Sequence, residues 1–273
     1  MRYTVLIIMA LAGIFSAKAS SDRYLQLADS ADYYISIESW DLAESKIIEA
    51  LRLEPANFSN SLLLSNLGIV RNNKGEYDKA IEAFSLGLSI APSSTVLLNN
   101  RARTYLLTEQ SEKAREDLET SLGVDSIQEW PIQSLAFLQL QNGDLDKSEN
   151  LFYKLTEYYP DNPMGFYGKG IILQNQGKIS DAEINLKKAL ELSPDDEEIL
   201  CSYVLLLIGL EKYSEARSFL RKAIEKNPEN GMFYLLRGYI SRLNYLTEEA
   251  KADKKIAIDK GINPEYVKKF IPL

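Results

Sequence analysis

The 273-residue chain contains no histidine. Without imidazole, neither a Ser–His nor a Cys–His nucleophile pair can be assembled, and the side chain most used for proton transfer near neutral pH is missing. Cys201 is the only cysteine, which excludes an intrachain disulfide framework and leaves too few ligands for zinc. It reads as a small, partly buried apolar residue rather than a reactive thiol. The glycines are scattered, with no loop of the kind that cradles phosphate. One acid cluster remains, Asp195-Asp196-Glu197-Glu198. It follows Pro194 and opens a helical stretch, where the helix dipole stabilises negative charge, and it lacks the glycine turn that calcium loops use. These residue types point away from an enzyme and imply no metal or other cofactor. What is left to carry function is a surface.

The elements that present this surface repeat. "KGEYDKAIEAFSLGLSIAP" begins at Lys74 and "QGKISDAEINLKKALELSP" at Gln176, 102 residues on, three times 34. Steps of 34 from Ala80 reach Ala114, Ser148, Ala182, Ala216 and Ala250, all small. The same steps from Phe84 reach Leu118, Phe152, Leu186 and Leu220, and from Pro92 they reach Ser126, Pro160, Pro194 and Pro228. Ala31, Ala43, Ile47 and Pro55 precede their counterparts by 37, which places three extra residues near Asn57 to Asn60. A fixed period of this length means a solenoid of stacked units. Each period carries two stretches with apolar residues at helical spacing, for example Ser61 to Asn73 and Asp78 to Ile90. Gly75, Gly143 and Gly177 fall between paired stretches, where a helix ends in a left-handed turn. The prolines forbid continuation of the second stretch. Small residues such as Gly68 and Ala80 mark the point where two helices cross. Fresh helix starts are expected at Ser126 with Glu129, as a capping box, and at Asn162-Pro163.

"SNLGIVRNNKGEYDKAIEAFSLGLSIAP", with Leu67-Gly68, Gly75, Tyr77, Ala80, Phe84 and Pro92, resembles the tetratricopeptide repeat family. The resemblance covers about seven units, beginning near residues 24, 61, 95, 129, 163, 197 and 231. It implies an all-α fold, a superhelical α-solenoid running without a domain boundary over residues 20–273 after the N-terminal segment. Departures include Arg71 for an aromatic, Leu155 for a small residue and Tyr245 for glycine. A short capping helix is expected over residues 264–271, begun by Asn263-Pro264, with Tyr266, Val267, Phe270 and Ile271 on one side and Lys268 and Lys269 towards water.

The resemblance further implies that the first helix of each repeat lines an inner, concave wall. On that expectation the wall takes Leu25, Ala28, Asp32, Ile35 and Ser36 in the first repeat and the five equivalent places in each later one. Of these places only Asp32, Arg103, Glu198 and Arg242 are charged, where a 26% charged content predicts about nine. Leu106 and Leu205 are expected to pack on neighbouring helices. Asn99, Arg103, Trp130, Gln133, Phe137, Tyr167, Ile171, Gln174, Asn175 and Tyr239 are the expected partner-binding residues: exposed rings for affinity, amides for a partner's backbone. One subclass of the family clamps a C-terminal carboxylate with lysines on this wall. Asn66 and Asn100 match its asparagine place, but Ala28, Ser65, Val96 and Trp130 stand where lysine is required.

The first residues, "MRYTVLIIMALAGIFSAKAS", read as a charged start, an apolar run from Val5 to Phe15 and an Ala17-Lys18-Ala19 cleavage site. This predicts a signal peptide over residues 1–19 and an exported, soluble remainder, most simply in a bacterial periplasm. The alternative is an uncleaved anchor in the inner membrane, although eleven apolar residues fall short of the ~20 a span needs. Asn57-Phe58-Ser59 is a chance sequon on this reading. Loss of Arg2 and Lys18 moves the formal charge from -8 to -10. Residues 20–230 hold 21 basic and 34 acidic side chains, against 8 and 5 from Gly231 on. So acidic a body argues against nucleic acid as a partner. The basic C-terminal end is either a solvated helix face or a weak contact for anionic surfaces. The expected role is a protein-interaction scaffold that takes a partner peptide or helix. The alternative is a saccharide-binding module in envelope polysaccharide or surface-structure assembly.

Overall fold

A computed structural model describes residues 21–272 of the chain; the expected signal peptide lies outside the described residues. Among those residues there are fifteen helices and no strand. Two compact units divide the chain, Met1–Leu138 and Gln139–Leu273. In the first, α1 (residues 21–36) pairs with α2 (Trp40–Leu53), α3 (Asn60–Asn73) with α4 (Tyr77–Ile90), and α5 (Thr95–Leu107) with α6 (Ser111–Val124). Most of α7 (Glu129–Gln141) follows. The second unit holds α8 (Leu145–Tyr158), α9 (Pro163–Asn175), α10 (Ile179–Leu192), α11 (Glu197–Gly209), α12 (Tyr213–Lys226), α13 (Gly231–Leu243), α14 (Thr247–Asp259) and the short α15 (Pro264–Phe270).

One turn is used throughout. Gly75, Gly143 and Gly177 adopt φ of 75°, 81° and 74°, the left-handed region that glycine enters without a Cβ penalty. The next residue donates its N–H to a carbonyl five positions back, Glu76 to Arg71 at 2.9 Å and Lys178 to Leu173 at 2.9 Å. This wrapped bond closes the first helix of each pair. Glu38, Glu109, Glu211 and Tyr245 hold the same conformation without being glycine, at φ between 57° and 61°. After several of the second helices the next helix opens with a fresh side-chain cap. Asn162 Oδ1 accepts from Met164 N at 2.8 Å, Asn230 Oδ1 from Met232 N at 2.8 Å, and Asn263 Oδ1 from Glu265 N at 2.8 Å. α7 begins at Glu129, so Ser126 lies three residues before the helix and not at the N-cap place that the expected capping box requires. There Asp125 Oδ1 accepts from Ile127 N at 3.0 Å and Gln128 Nε2 donates to Asp125 O at 2.8 Å, so a turn held by Asp125 and Gln128 leads into α7.

Packing within each unit follows size complementarity. A Cβ at Gly68 would lie 2.3 Å from the Phe84 ring, and one at Gly170 would lie 2.6 Å from Leu186 Cγ, so the small residue of the first helix seats the large one of the second. Between pairs, Gly87 of α4 faces Leu97 of α5. In the second unit the sizes are exchanged: Leu155 of α8 is fully buried against Gly165 of α9. The sequence departure at Leu155 is thus matched by a compensating glycine. A second departure, Arg71, ion-pairs with Glu44 at 2.9 Å, and Lys74 joins the same carboxylate at 2.7 Å. The three extra residues form a loop that ends at Asn60, the first residue of α3, which is only 2% exposed, donates to Glu54 O at 2.8 Å and accepts from Tyr24 OH at 3.1 Å. At the other end α15 buries Val267 and Ile271 on α13 and α14, and Lys268 and Lys269 stay exposed.

Candidate functional site

Within each unit the first helices of consecutive pairs approach one another, α3 with α5 and α11 with α13. The second helices α4 and α6, or α10 and α12, stay farther apart. The side made by first helices is therefore the inside of the local curve, and the wall residues lie on those helices.

In the first unit an apolar row is open. Leu25, Leu62 and Val96 occupy the same place in α1, α3 and α5, and are 56%, 69% and 58% exposed. The next place in the row is Trp130 on α7, half-buried beneath the Arg103 guanidinium at 4.5 Å from the ring centre. That stacking is a cation–π contact. Asn99, also half-buried, donates from Nδ2 to Gln128 Oε1 at 2.8 Å, and Asn72 donates to Thr104 Oγ1 at 2.7 Å. Their own amide oxygens are buried without a hydrogen-bond partner. Asn66 Nδ2 donates to Asp32 Oδ1 at 2.8 Å, joining α3 to α1. Gln133 and Phe137 are half-buried on α7.

In the second unit the rings expected to be open are largely covered. Tyr167 is 7% exposed, and its hydroxyl donates to Glu198 Oε1 at 3.0 Å and lies 3.2 Å from Ser202 Oγ. Burial first, and then the charge of Glu198, hold the phenol above its ordinary pKa, so it stays a donor. Tyr239 packs edge-on against Phe270 of α15, centroids 5.2 Å apart, with Arg242 5.1 Å from its ring centre. Ile171 is half-buried; Gln174 and Asn175 are exposed at the end of α9. Leu205, expected to be packed, is 42% exposed, because its neighbours Val204 and Leu206 take the buried faces of α11. Thus Asp32, Arg103, Glu198 and Arg242, the four charged wall residues, each contact a neighbouring side chain of the protein, although Asp32, Arg103 and Glu198 remain exposed.

The acid cluster is divided among separate partners. Asp196 Oδ1 caps α11, accepting from Glu198 N and Ile199 N, each at 3.0 Å. Asp195 pairs with Lys226, and Glu197 accepts from Asn227 Nδ2 and Asn230 Nδ2, both at 2.6 Å. Among the described residues no group of acids, with or without Cys201, could hold a metal ion. Burial first, then Glu197, pushes the Cys201 thiol up to about 12, so it stays protonated near neutral pH.

Sequence reading missed one recurring pair. Arg101 of α5 grips Asp117 of α6 through Nε and Nη2 at 2.8 and 2.7 Å, and Arg237 of α13 grips Asp253 of α14 at 2.9 and 2.7 Å. Both pairs are 16 residues apart and sit four periods from each other. The same crossing is filled by Leu67 and Ala83 in α3 and α4, and by Tyr203 edge-on to Phe219, 5.4 Å apart, in α11 and α12. The signal was an arginine and an aspartate at one spacing in two repeats.

Tetratricopeptide repeat family models match residues 135–197, and again residues 63–94 and 197–230. Among curated proteins, the BBSome complex member BBS4 of Bos taurus is 28% identical over 167 residues, covering 61% of this chain and 31% of that protein. The heat-shock protein cognate co-chaperone sgt12 of Aspergillus fumigatus is 48% identical over 50 residues, covering 18% of this chain and 15% of that protein. The chain thus spans less than a third of the length of either relative. Among solved structures, a tetratricopeptide repeat protein from Parabacteroides merdae superposes with a TM-score of 0.71 at 25% identity, over 92% of this chain and 98% of that one. YrrB, a TPR protein with an unusual peptide-binding site, gives 0.56 at 15% identity over 68% and 95%. The 34-residue period, the paired helices with their left-handed turns and these matches converge: the chain is a tetratricopeptide repeat protein.

Proposed function

We propose that this chain is a protein-interaction scaffold of the bacterial cell envelope, holding a peptide or helix of a partner on the inner wall of its first unit. Tetratricopeptide repeats mediate protein–protein contacts. The observation that carries the reading here is the open row Leu25, Leu62 and Val96, placed alike on consecutive first helices and each more than half exposed. Covering one such side chain is worth about 1.5–3 kcal/mol, so the row can offset several kcal/mol of association cost. Asn99 and Arg103 flank it and suit a partner's backbone and side chains. A saccharide would need open aromatic faces, and Trp130, Tyr167 and Tyr239 are each covered at least in part; the peptide reading is the better supported. The envelope location rests on the N-terminal residues 1–19 and would be checked by cell fractionation and by the mass of the mature N-terminus, expected at Ser20.

The test of binding uses a photo-crosslinking residue at Leu25 in cells, with and without Leu62→Asp and Val96→Asp together. Both side chains are exposed, so the fold should persist, as circular dichroism would verify. One crosslinked partner should appear and should vanish in the double variant. A partner captured equally by both proteins overturns the proposal.

A further inference from the structure

On the outer side of the second unit, α10 and α12 stand apart over α11, and the gap is a groove of about 350 Å³. Its floor is Leu190, Leu200, Phe219 and Ala223. It continues into a smaller recess of about 140 Å³ that reaches Phe233. At the place held by Ile90, Val124, Tyr158 and Leu192 at the ends of α4, α6, α8 and α10, α12 carries Lys226, and Lys260 follows α14. Ile90 packs on the core of its own unit, Val124 and Tyr158 are about half exposed, and Lys226 turns outward to Asp195. Phe219 is drawn to the edge of Tyr203 and does not close the gap.

The rim is charged. Lys187 and Lys222 stand over the apolar floor, are exposed, and form no ion pair among the described residues. Opposing carboxylates come from Glu191 and from Asp195, and Lys226 already engages the second. Over the groove itself the balance leaves one positive charge in excess above a mostly apolar floor, while Glu197 of the recess is held by Asn227 and Asn230. A site of this size falls at the lower end of small-molecule pockets, about 300–1,000 Å³. An apolar slot with a cationic mouth matches a single alkyl chain ending in an anion.

We propose that the groove between α10 and α12 binds a medium-chain carboxylate amphiphile, its tail on Leu190, Leu200 and Phe219 and its head between Lys187 and Lys222. This site lies on the second helices and is independent of the proposed partner wall.

The experiment is calorimetric titration of the full protein with octanoate, decanoate and dodecanoate below their micelle concentrations. Each added methylene that enters the groove should tighten binding by up to about fourfold, so the series should steepen until the slot is full. Lys226→Leu places the residue type that α10 has at this position on the lip of the groove and should occlude the slot, weakening dodecanoate at least tenfold without loss of helicity. Lys187→Gln with Lys222→Gln alters exposed residues only and should weaken dodecanoate several-fold while leaving the gain per methylene intact. Methyl shifts of Leu190 and Leu200 should move on titration and stay still in Lys226→Leu. A flat chain-length series, binding unchanged in Lys226→Leu, or no heat with any of the three carboxylates overturns the proposal. Saturation by an acidic amphipathic peptide in place of the carboxylates would do so as well.

Discussion

Arg101 and Asp117 show how far a single position in a repeat can vary while its geometry is kept. The carboxylate of Asp117 is 8% exposed and the guanidinium of Arg101 21%. The hydrogen bonds that Arg101 donates to Asp117 come first among the causes that raise the guanidinium pKa. Removing one partner leaves a charge in a site built for a pair, which in full burial costs about 3–5 kcal/mol. Partial exposure of Arg101 lowers the figure. Asp117→Ala should therefore destabilise the protein by about 2–3 kcal/mol in urea melts. Arg101→Leu with Asp117→Ala recreates the Leu67 and Ala83 filling of the neighbouring pair and should recover all but about 1 kcal/mol. A double variant no more stable than Asp117→Ala would show that the ion pair is not interchangeable with an apolar crossing. At this scale the pattern read from sequence was most legible where one small residue meets one large one, as Gly68 meets Phe84. It was least legible where a wall side chain's exposure depends on a residue 30 or more positions away: Tyr167 is covered because Glu198 and Ser202 take its hydroxyl, and Tyr239 because Phe270 returns over it.

Elements were legible to within a residue or two, since glycines and prolines mark their ends. The left-handed turns at Glu38, Glu109, Glu211 and Tyr245 were not, because a non-glycine residue gives no local sign of φ above zero; they follow only from period and neighbours. Between elements, α2 and the α3 end are tied through Glu44, which accepts from Arg71 Nε at 2.9 Å and from Lys74 Nζ at 2.7 Å. Burial pushes the Glu44 carboxyl up, but the hydrogen bonds and charges of Lys74 and Arg71 outweigh it and hold the carboxyl below its ordinary value of 4.5. A depressed folded-state pKa adds stability in full above the unfolded value, and that stability is lost as pH falls through the folded one. The melting temperature of the native protein should thus fall between about pH 5 and pH 3 more than that of Glu44→Gln, with the two curves converging at the acid end. Parallel curves over that window would show that this carboxylate does not link α2 to α3 energetically.

For the whole molecule, charge and wall are separate matters. The chain carries a formal charge of -8, and among the described residues no helix is long and apolar enough to cross a membrane. Sequence reading found the basic excess from Gly231 on, and the structure shows some of it already used: Lys260 meets Glu229 at 2.9 Å, Lys251 meets Glu248 at 3.0 Å and Lys268 meets Glu265 at 2.5 Å. These are exposed pairs, worth little and screened by salt. On the wall, by contrast, Asp32 is bonded to Asn66 and Arg103 lies on Trp130, so a partner meets mostly apolar surface. Rim charges govern association rate and salt response, and apolar contacts govern lifetime. A partner captured at Leu25 should accordingly keep its affinity within about threefold between low and ten times higher salt. The same partner should lose affinity at least tenfold with Leu62→Asp and Val96→Asp, and should be indifferent to Lys268→Glu with Lys269→Glu. Binding that falls steeply with salt and disappears on the lysine reversal would move the site to the basic C-terminal end and away from the wall.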